Sequence, residues 1–124
     1  MSKKYRKATN DIVEGAFTAS HSRSERMLSK CMRDPHPLIR FAAAGNPNAT
    51  AKILRLAMAD PCPEVRGAAA SNGRISRSLW NEAAIDSSKL VRSEAAANAK
   101  AIRSGWNDPL HSLLYSAKKK KLKK

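Results

Sequence analysis

Aromatic side chains are scarce in this chain: two Trp, two Tyr and two Phe in 124 residues. With 42% of residues hydrophobic, the length suffices for one core, but that core has to be assembled from small aliphatic side chains, Ala above all. Only five Gly are present, and none builds a Gly-rich loop of the kind that cradles phosphates, which argues against a nucleotide site. The two cysteines, Cys31 and Cys62, form no CxxC, and the chain does not open on a charged segment followed by an apolar one. A reduced, cytoplasmic protein whose thiols act as small buried hydrophobes is expected. Nowhere does an uncharged apolar run approach bilayer length, so no membrane span is expected. Paired carboxylates and a Ser/His/Asp set are missing, and His21, His36 and His111 show no ligand spacing with the cysteines. No enzyme, no metal and no cofactor is expected.

Acidic residues are also in short supply, 10 against 24 Lys plus Arg, for a formal net charge of +14. Such a balance favours a polyanionic partner: nucleic acid or an acidic protein surface. The charge is concentrated at the ends. Four basic residues in "KKYRK" (Lys3, Lys4, Arg6, Lys7) and six in "KKKKLKK" (Lys118, Lys119, Lys120, Lys121, Lys123, Lys124) leave fourteen against ten acidic residues, a body of only +4.

What is abundant is repetition. "DPHPLIRFAAAGN" begins at Asp34 and "DPCPEVRGAAASN" at Asp60. Shifting the sequence by 26 residues aligns Asp34, Asp60 and Asp86, then Arg40, Arg66 and Arg92, then Ile39, Val65 and Val91. Ala43, Ala69 and Ala95 form a further column, as do Asn46, Asn72 and Asn98, and Leu28, Leu54, Trp80 and Trp106. A fixed period over this much chain is the signature of stacked repeats. Each repeat divides into two helical pieces. In the first, Asp34 or Asp60 is the expected N-cap with Pro at the first helical position, and Asn46, Asn72 and Asn98 are expected to end the piece in the left-handed conformation. In the second, Ser24, Thr50 and Ser76 are expected N-caps, followed by apolar pairs such as Ile53 and Leu54 with Ala57 and Met58, which share one helix face. Helices this short are marginal alone and have to stack.

The reading is therefore all-α: a short right-handed α-solenoid of two-helix repeats (α or 3₁₀ plus α) with period 26, spanning residues 11–117. A basic tail is expected at residues 1–10 and another at 118–124. The terminal repeats are atypical, as edges of an array should be. Ile102 stands where the last second-piece N-cap would fall, and Asp108 and Pro109 open an expected capping helix carrying Leu110, Leu113, Leu114 and Ala117.

"DPHPLIRFAAAGNPNATAKILRLAMAD" and "DPCPEVRGAAASN" resemble the leucine-rich repeat variant, whose units run Asp-Pro-x-Pro-x-Val-Arg into an Ala-rich helix, and are similar to short HEAT repeats. The resemblance covers roughly residues 20–103 and thins in the third unit, where Ser87, Ser88 and Lys89 replace the Pro-bearing start. It implies a binding α-solenoid, commonly for proteins and sometimes for nucleic acid. It also implies that Asp34, Arg40, Asp60, Arg66, Asp86 and Arg92 form an internal structural ladder rather than a phosphate-reading row.

A second basic set fits a purely structural role less well. Arg23, Arg26, Lys52, Arg74, Arg77, Lys100 and Arg103 all fall in the turn before, or the first turn of, a second-piece helix. Positive charge there opposes the macrodipole, whereas open helix N-termini flanked by Lys or Arg suit phosphate oxygens. With the Lys-rich tails adding salt-dependent affinity, the expected function is nucleic-acid binding through the phosphate backbone, DNA before RNA. The alternative is an adaptor or inhibitor that grips an acidic partner protein. Trp80 and Trp106 are expected in the core.

Overall fold

The double proline of the Asp-Pro-x-Pro motif decides where its helix starts. A residue before Pro is pushed out of the α region, so His36 (φ −87°, ψ 121°) and Cys62 (φ −84°, ψ 120°) stay extended and become the N-cap residues of their helices. Pro37 and Pro63 follow at the first helical position, where a missing N–H costs nothing. Asp34 and Asp60 are therefore not the caps the sequence suggested. Their carboxylates, like that of Asp86, accept the backbone N–H two residues on: His36 at 2.8 Å, Cys62 at 2.9 Å and Ser88 at 2.8 Å. These are Asx turns.

The computed structural model describes residues 3–108 and residue 110, with side chains from Asn10 onward. Among the described residues all regular structure is helical and there is no strand. The helices are α1 (Lys3–His21), α2 (Glu25–Met32), α3 (Pro37–Ala44), α4 (Ala51–Met58), α5 (Pro63–Ser71), α6 (Arg77–Ala84), α7 (Lys89–Ala97) and α8 (Ala99–Arg103). The first pieces, α3, α5 and α7, are α-helices rather than 3₁₀. Ser24 and Ser76 cap α2 and α6 by accepting from the N–H groups of Met27 and Leu79. Thr50 precedes α4 but gives no such bond; its hydroxyl instead donates to Glu25 Oε1 at 2.6 Å, tying α4 to α2.

Two expectations at the edges need correction, and a third falls mostly outside the described residues. The stretch expected as a basic tail, residues 1–10, is helical from Lys3 onward, the start of a 19-residue helix. The last second-piece helix begins four residues early, directly after Asn98, because the Asn98 side chain caps it by accepting from Lys100 and Ala101. No Ser or Thr at position 102 is needed. Of the expected C-terminal capping helix only the start is described, where Asp108 accepts the N–H of Leu110 at 2.9 Å; Leu113, Leu114, Ala117 and the 118–124 tail lie outside the described residues.

α1 packs on α3, α3 on α5 and α5 on α7, while α2 packs on α4 and α4 on α6. Leu28, Ile53, Leu54, Val65, Ile75 and Val91 are completely buried between the two rows, each worth roughly 1.5–3 kcal/mol of burial. Ala43, Ala44, Ala69, Ala70 and Ala95 are buried with them, and such small contacts let neighbouring helices approach closely. Gly15 shows how closely: a Cβ there would lie 2.7 Å from Ile39 Cδ1, so the end of that side chain rests on the bare glycine. Trp80 and Trp106 are buried, with ring centroids 5.7 Å apart, and the Trp80 indole N–H donates to the Ala95 carbonyl at 2.8 Å.

Candidate nucleic-acid interface

Asn46, Asn72 and Asn98 were expected to end their helices in the left-handed conformation. They do not: Asn72 (φ −68°, ψ 129°) and Asn98 (φ −63°, ψ 118°) are extended, and among the described residues only Gly105, at φ 72°, has a positive φ. All three are buried, and their amides satisfy backbone groups that burial would otherwise strand. Asn46 Nδ2 donates to Ala19 O and Ser22 O, both at 2.8 Å. Asn72 Nδ2 repeats this on Ala44 O and Asn46 O, and Asn98 Nδ2 on Ala70 O and Asn72 O. Each Oδ1 then accepts the N–H two residues ahead, on Asn48, Arg74 and Lys100. The loops that lead into α2, α4, α6 and α8 are thereby bonded one to the next along a single edge.

That edge carries most of the second basic set. Arg23 and Arg74 lie in its loops, Arg26, Lys52 and Lys100 in the first turns of α2, α4 and α8. Arg23, Arg26, Lys52 and Arg74 are exposed. Arg74 Nη1 reaches back to Asn48 O at 3.3 Å, and Lys100 Nζ to Ile75 O at 3.1 Å, where it also lies 5.5 Å from the centre of a Trp106 ring. Neither of the two ion pairs among the described residues involves this set. Two members depart from expectation. Arg77 is half-buried, and Arg103 stands at the C-terminal end of α8 because that helix starts early. The expected basic ends are uninformative here: Lys3, Lys4, Arg6 and Lys7 lie in α1 without described side chains, and Lys118, Lys119, Lys120 and Lys121 lie outside the described residues.

The electrostatic argument also changes. Three of the four N-termini at this edge are partly closed, since Ser24, Ser76 and Asn98 each occupy at least one of the free N–H groups, whereas that of α4 has no side-chain cap. Nor is a cation here simply opposed by a macrodipole. α3, α5 and α7 end in the same loops, at Ala44, Ser71 and Ala97, and their carbonyl ends favour positive charge. Arg74 and Lys100 add bonds to loop carbonyls beyond those helix ends, Asn48 O and Ile75 O.

The Asp and Arg columns occupy the opposite edge, where the first helices begin. Arg40 Nε donates to Asp60 Oδ2 at 2.7 Å and Arg66 Nε to Asp86 Oδ2 at 3.0 Å. The second arm of each fork, Nη2, reaches the other carboxylate oxygen, at 3.4 Å and 3.1 Å. The hydrogen bond and charge of each partner carboxylate raise the pKa of Arg40 and Arg66 further. Asp86 is held below the ordinary carboxylate range, first by the Arg66 hydrogen bond and then by the Ser88 N–H, against the opposing effect of burial. Burial raises the Cys31 thiol, with the Asp34 charge adding to the effect.

Sequence reasoning missed the Asn relay, although its signal was there: an Asn at the same place in three units, followed by Pro47, Gly73 and Ala99, which share no turn chemistry. No helix among the described residues is long and apolar enough to cross a membrane. No protein-family model, curated protein sequence or solved structure is significantly similar to this chain.

Proposed function

We propose that the chain is a short right-handed α-solenoid of 26-residue repeats that binds nucleic acid without catalysis, gripping the phosphate backbone of duplex DNA along the loop edge. The observation that carries this reading is the Asn relay: it strings the loops of Arg23, Lys52, Arg74 and Lys100 in order along one edge, and no carboxylate pairs with these side chains among the described residues. Second-helix neighbours at roughly 8–10 Å spacing suit a regular backbone. The loop amides are largely used internally, so affinity rests on side-chain charge, and little base readout is expected. The resemblance to leucine-rich repeat variant and HEAT-like units supports a binding role of this kind, with a cytoplasmic location in keeping with free cysteines.

The test is a binding series against duplex DNA, single-stranded DNA and RNA at stepped salt. The logarithm of the affinity should fall linearly with the logarithm of salt concentration, and duplex DNA should bind tightest. Reversing Arg23, Arg26, Lys52 and Arg74 to Glu together should abolish binding at unchanged helicity. Salt-independent binding, or binding that survives the reversal, would overturn the proposal.

A further inference from the structure

The arginine column ends on an unfinished site. In all three members Nη1 is anchored to the same pair of carbonyls, those six and five residues back: Asp34 and Pro35 for Arg40 (2.9 and 3.0 Å), Asp60 and Pro61 for Arg66 (2.9 and 3.2 Å), Asp86 and Ser87 for Arg92 (2.7 and 3.1 Å). This anchoring aims the remaining edge of the guanidinium, Nε and Nη2, at one place. In the first two members that place holds a carboxylate gripped by both nitrogens, and the arginine side chains are only 13% and 15% exposed. Arg92 carries the same anchor, is exposed, and has no carboxylate on its fork among the described residues. The chain offers none by register either. The position corresponding to Asp60 and Asp86 is Ser112, and residues 109–124 contain no Asp or Glu.

Beside the Arg92 fork lies a groove of about 570 Å³, walled by Trp80, Ala84, Ile85, Ala96, Trp106 and Asn107. Ile85 is 83% exposed there, the largest exposure of any bulky apolar side chain described. An arginine pre-oriented for bidentate contact next to an apolar groove is a receptor for a carboxylate carried on an apolar segment.

We propose that this end of the molecule binds an acidic turn of a partner protein, an Asp that follows an apolar residue at a helix end, as Asp86 follows Ile85 in the turn that Arg66 already grips. A second copy of this chain is a poor occupant. Asp34, the one ladder carboxylate without an arginine, belongs to the end of the array where α1 already covers α3, and a net charge of +14 repels like copies. The Arg92 fork is distinct from the loop edge: it lies in the first turn of α7, whereas the loop edge begins where that helix ends, and the groove runs between the two, since its Trp106 wall also lies 5.5 Å from Lys100 Nζ.

The chain's two tryptophans both line the groove, so their emission reports on it; Trp106 also lies 5.5 Å from Lys100 Nζ, so the Arg92 resonance is needed to tell the groove from the loop edge. The probe is the blocked hexapeptide Ala-Ala-Ile-Asp-Ser-Ser, which reproduces residues 83–88, titrated to millimolar concentration into the full-length protein. A saturable emission change is expected, together with a shift of the Arg92 Nε–H resonance in NMR spectra. Arg92→Gln should weaken binding at least tenfold without changing helicity, and the peptide with Asn in place of Asp should not bind. Duplex DNA bound at the loop edge should leave the peptide in place. The proposal is overturned by the absence of any saturable change, by equal binding of the Asn peptide or by the Arg92→Gln protein, or by inorganic phosphate displacing the peptide at lower concentration, which would make the fork a phosphate site.

Discussion

Asn72 Nδ2 donates to the backbone oxygen of Asn46 at 2.9 Å, and Asn98 Nδ2 places the same bond on Asn72, 26 residues further along. One side chain thus donates to two backbone carbonyls and, through Oδ1, accepts from one loop N–H. Removing it leaves Ala44 O without this donor and the Arg74 N–H without its acceptor, while Asn46 O keeps the Ala49 N–H at 2.9 Å. Asn72→Ala should cost about 2–4 kcal/mol, since each buried group left unsatisfied costs about 1–3 kcal/mol. Asn72→Asp should cost more, because a carboxylate cannot donate to either carbonyl. Urea unfolding followed by circular dichroism measures both, and a loss below 0.5 kcal/mol, about the size of a neutral surface change, would contradict the relay.

The alanine column predicts the opposite kind of damage. Ala69 is completely buried in α5, between α3 and α7. Ala69→Leu adds volume where helices already touch and should cost about 1–3 kcal/mol. Gly15→Ala tests a milder case: its methyl group would stand 2.7 Å from Ile39 Cδ1, a contact that a shift of the Ile39 side chain relieves, so its loss should be smaller than that of Ala69→Leu. Melting temperatures of the two variants provide the check.

Acid should unfold the protein through its ladder. The Asp86 carboxyl is held below its ordinary value in the folded chain, so its contribution to stability is complete above the ordinary carboxylate pKa and is lost as pH falls through that value toward the lowered one. Stability should be flat near neutral pH and fall below about pH 4. Asp86→Asn should lower stability at pH 7 and flatten the acid limb, which unfolding curves at stepped pH will show.

The all-α class could be read from spacing because the apolar residues at helical intervals are the ones that burial selects: Leu28, Leu54, Val65 and Val91 are all buried. The helix starts at Ser24 and Ser76 were legible because a hydroxyl before an apolar pair has a local job. Asn46, Asn72 and Asn98 were not, since an Asn at a helix end is equally consistent with a left-handed turn, and only the position of the neighbouring loop reveals the bridge. Asp34 and Asp60 misled for a related reason: the second proline, not the acid, sets the first helical residue. The basic edge was partly legible. Arg74 and Lys52 fall on it, but Arg103 moved to the far end of α8 because Asn98 doubles as a cap, a choice made by tertiary packing. The unfinished fork of Arg92 looks in sequence like its two predecessors.

The two arginine and lysine sets should separate cleanly in one experiment. Lys52 is exposed at the start of α4 with no ion pair among the described residues, whereas the Arg66 side chain is 15% exposed and holds an Asp86 side chain that is 10% exposed. Lys52→Ala should leave stability within about 0.5 kcal/mol and reduce the slope of log affinity against log salt for duplex DNA by about 1, the loss of one phosphate contact. Arg66→Ala strands a nearly buried carboxylate and should cost about 3 kcal/mol, yet under conditions where the variant is still folded its salt slope should match that of the parent. A slope that changes with Arg66→Ala and not with Lys52→Ala would move the phosphate contacts to the ladder edge and remove the loop edge from the binding surface.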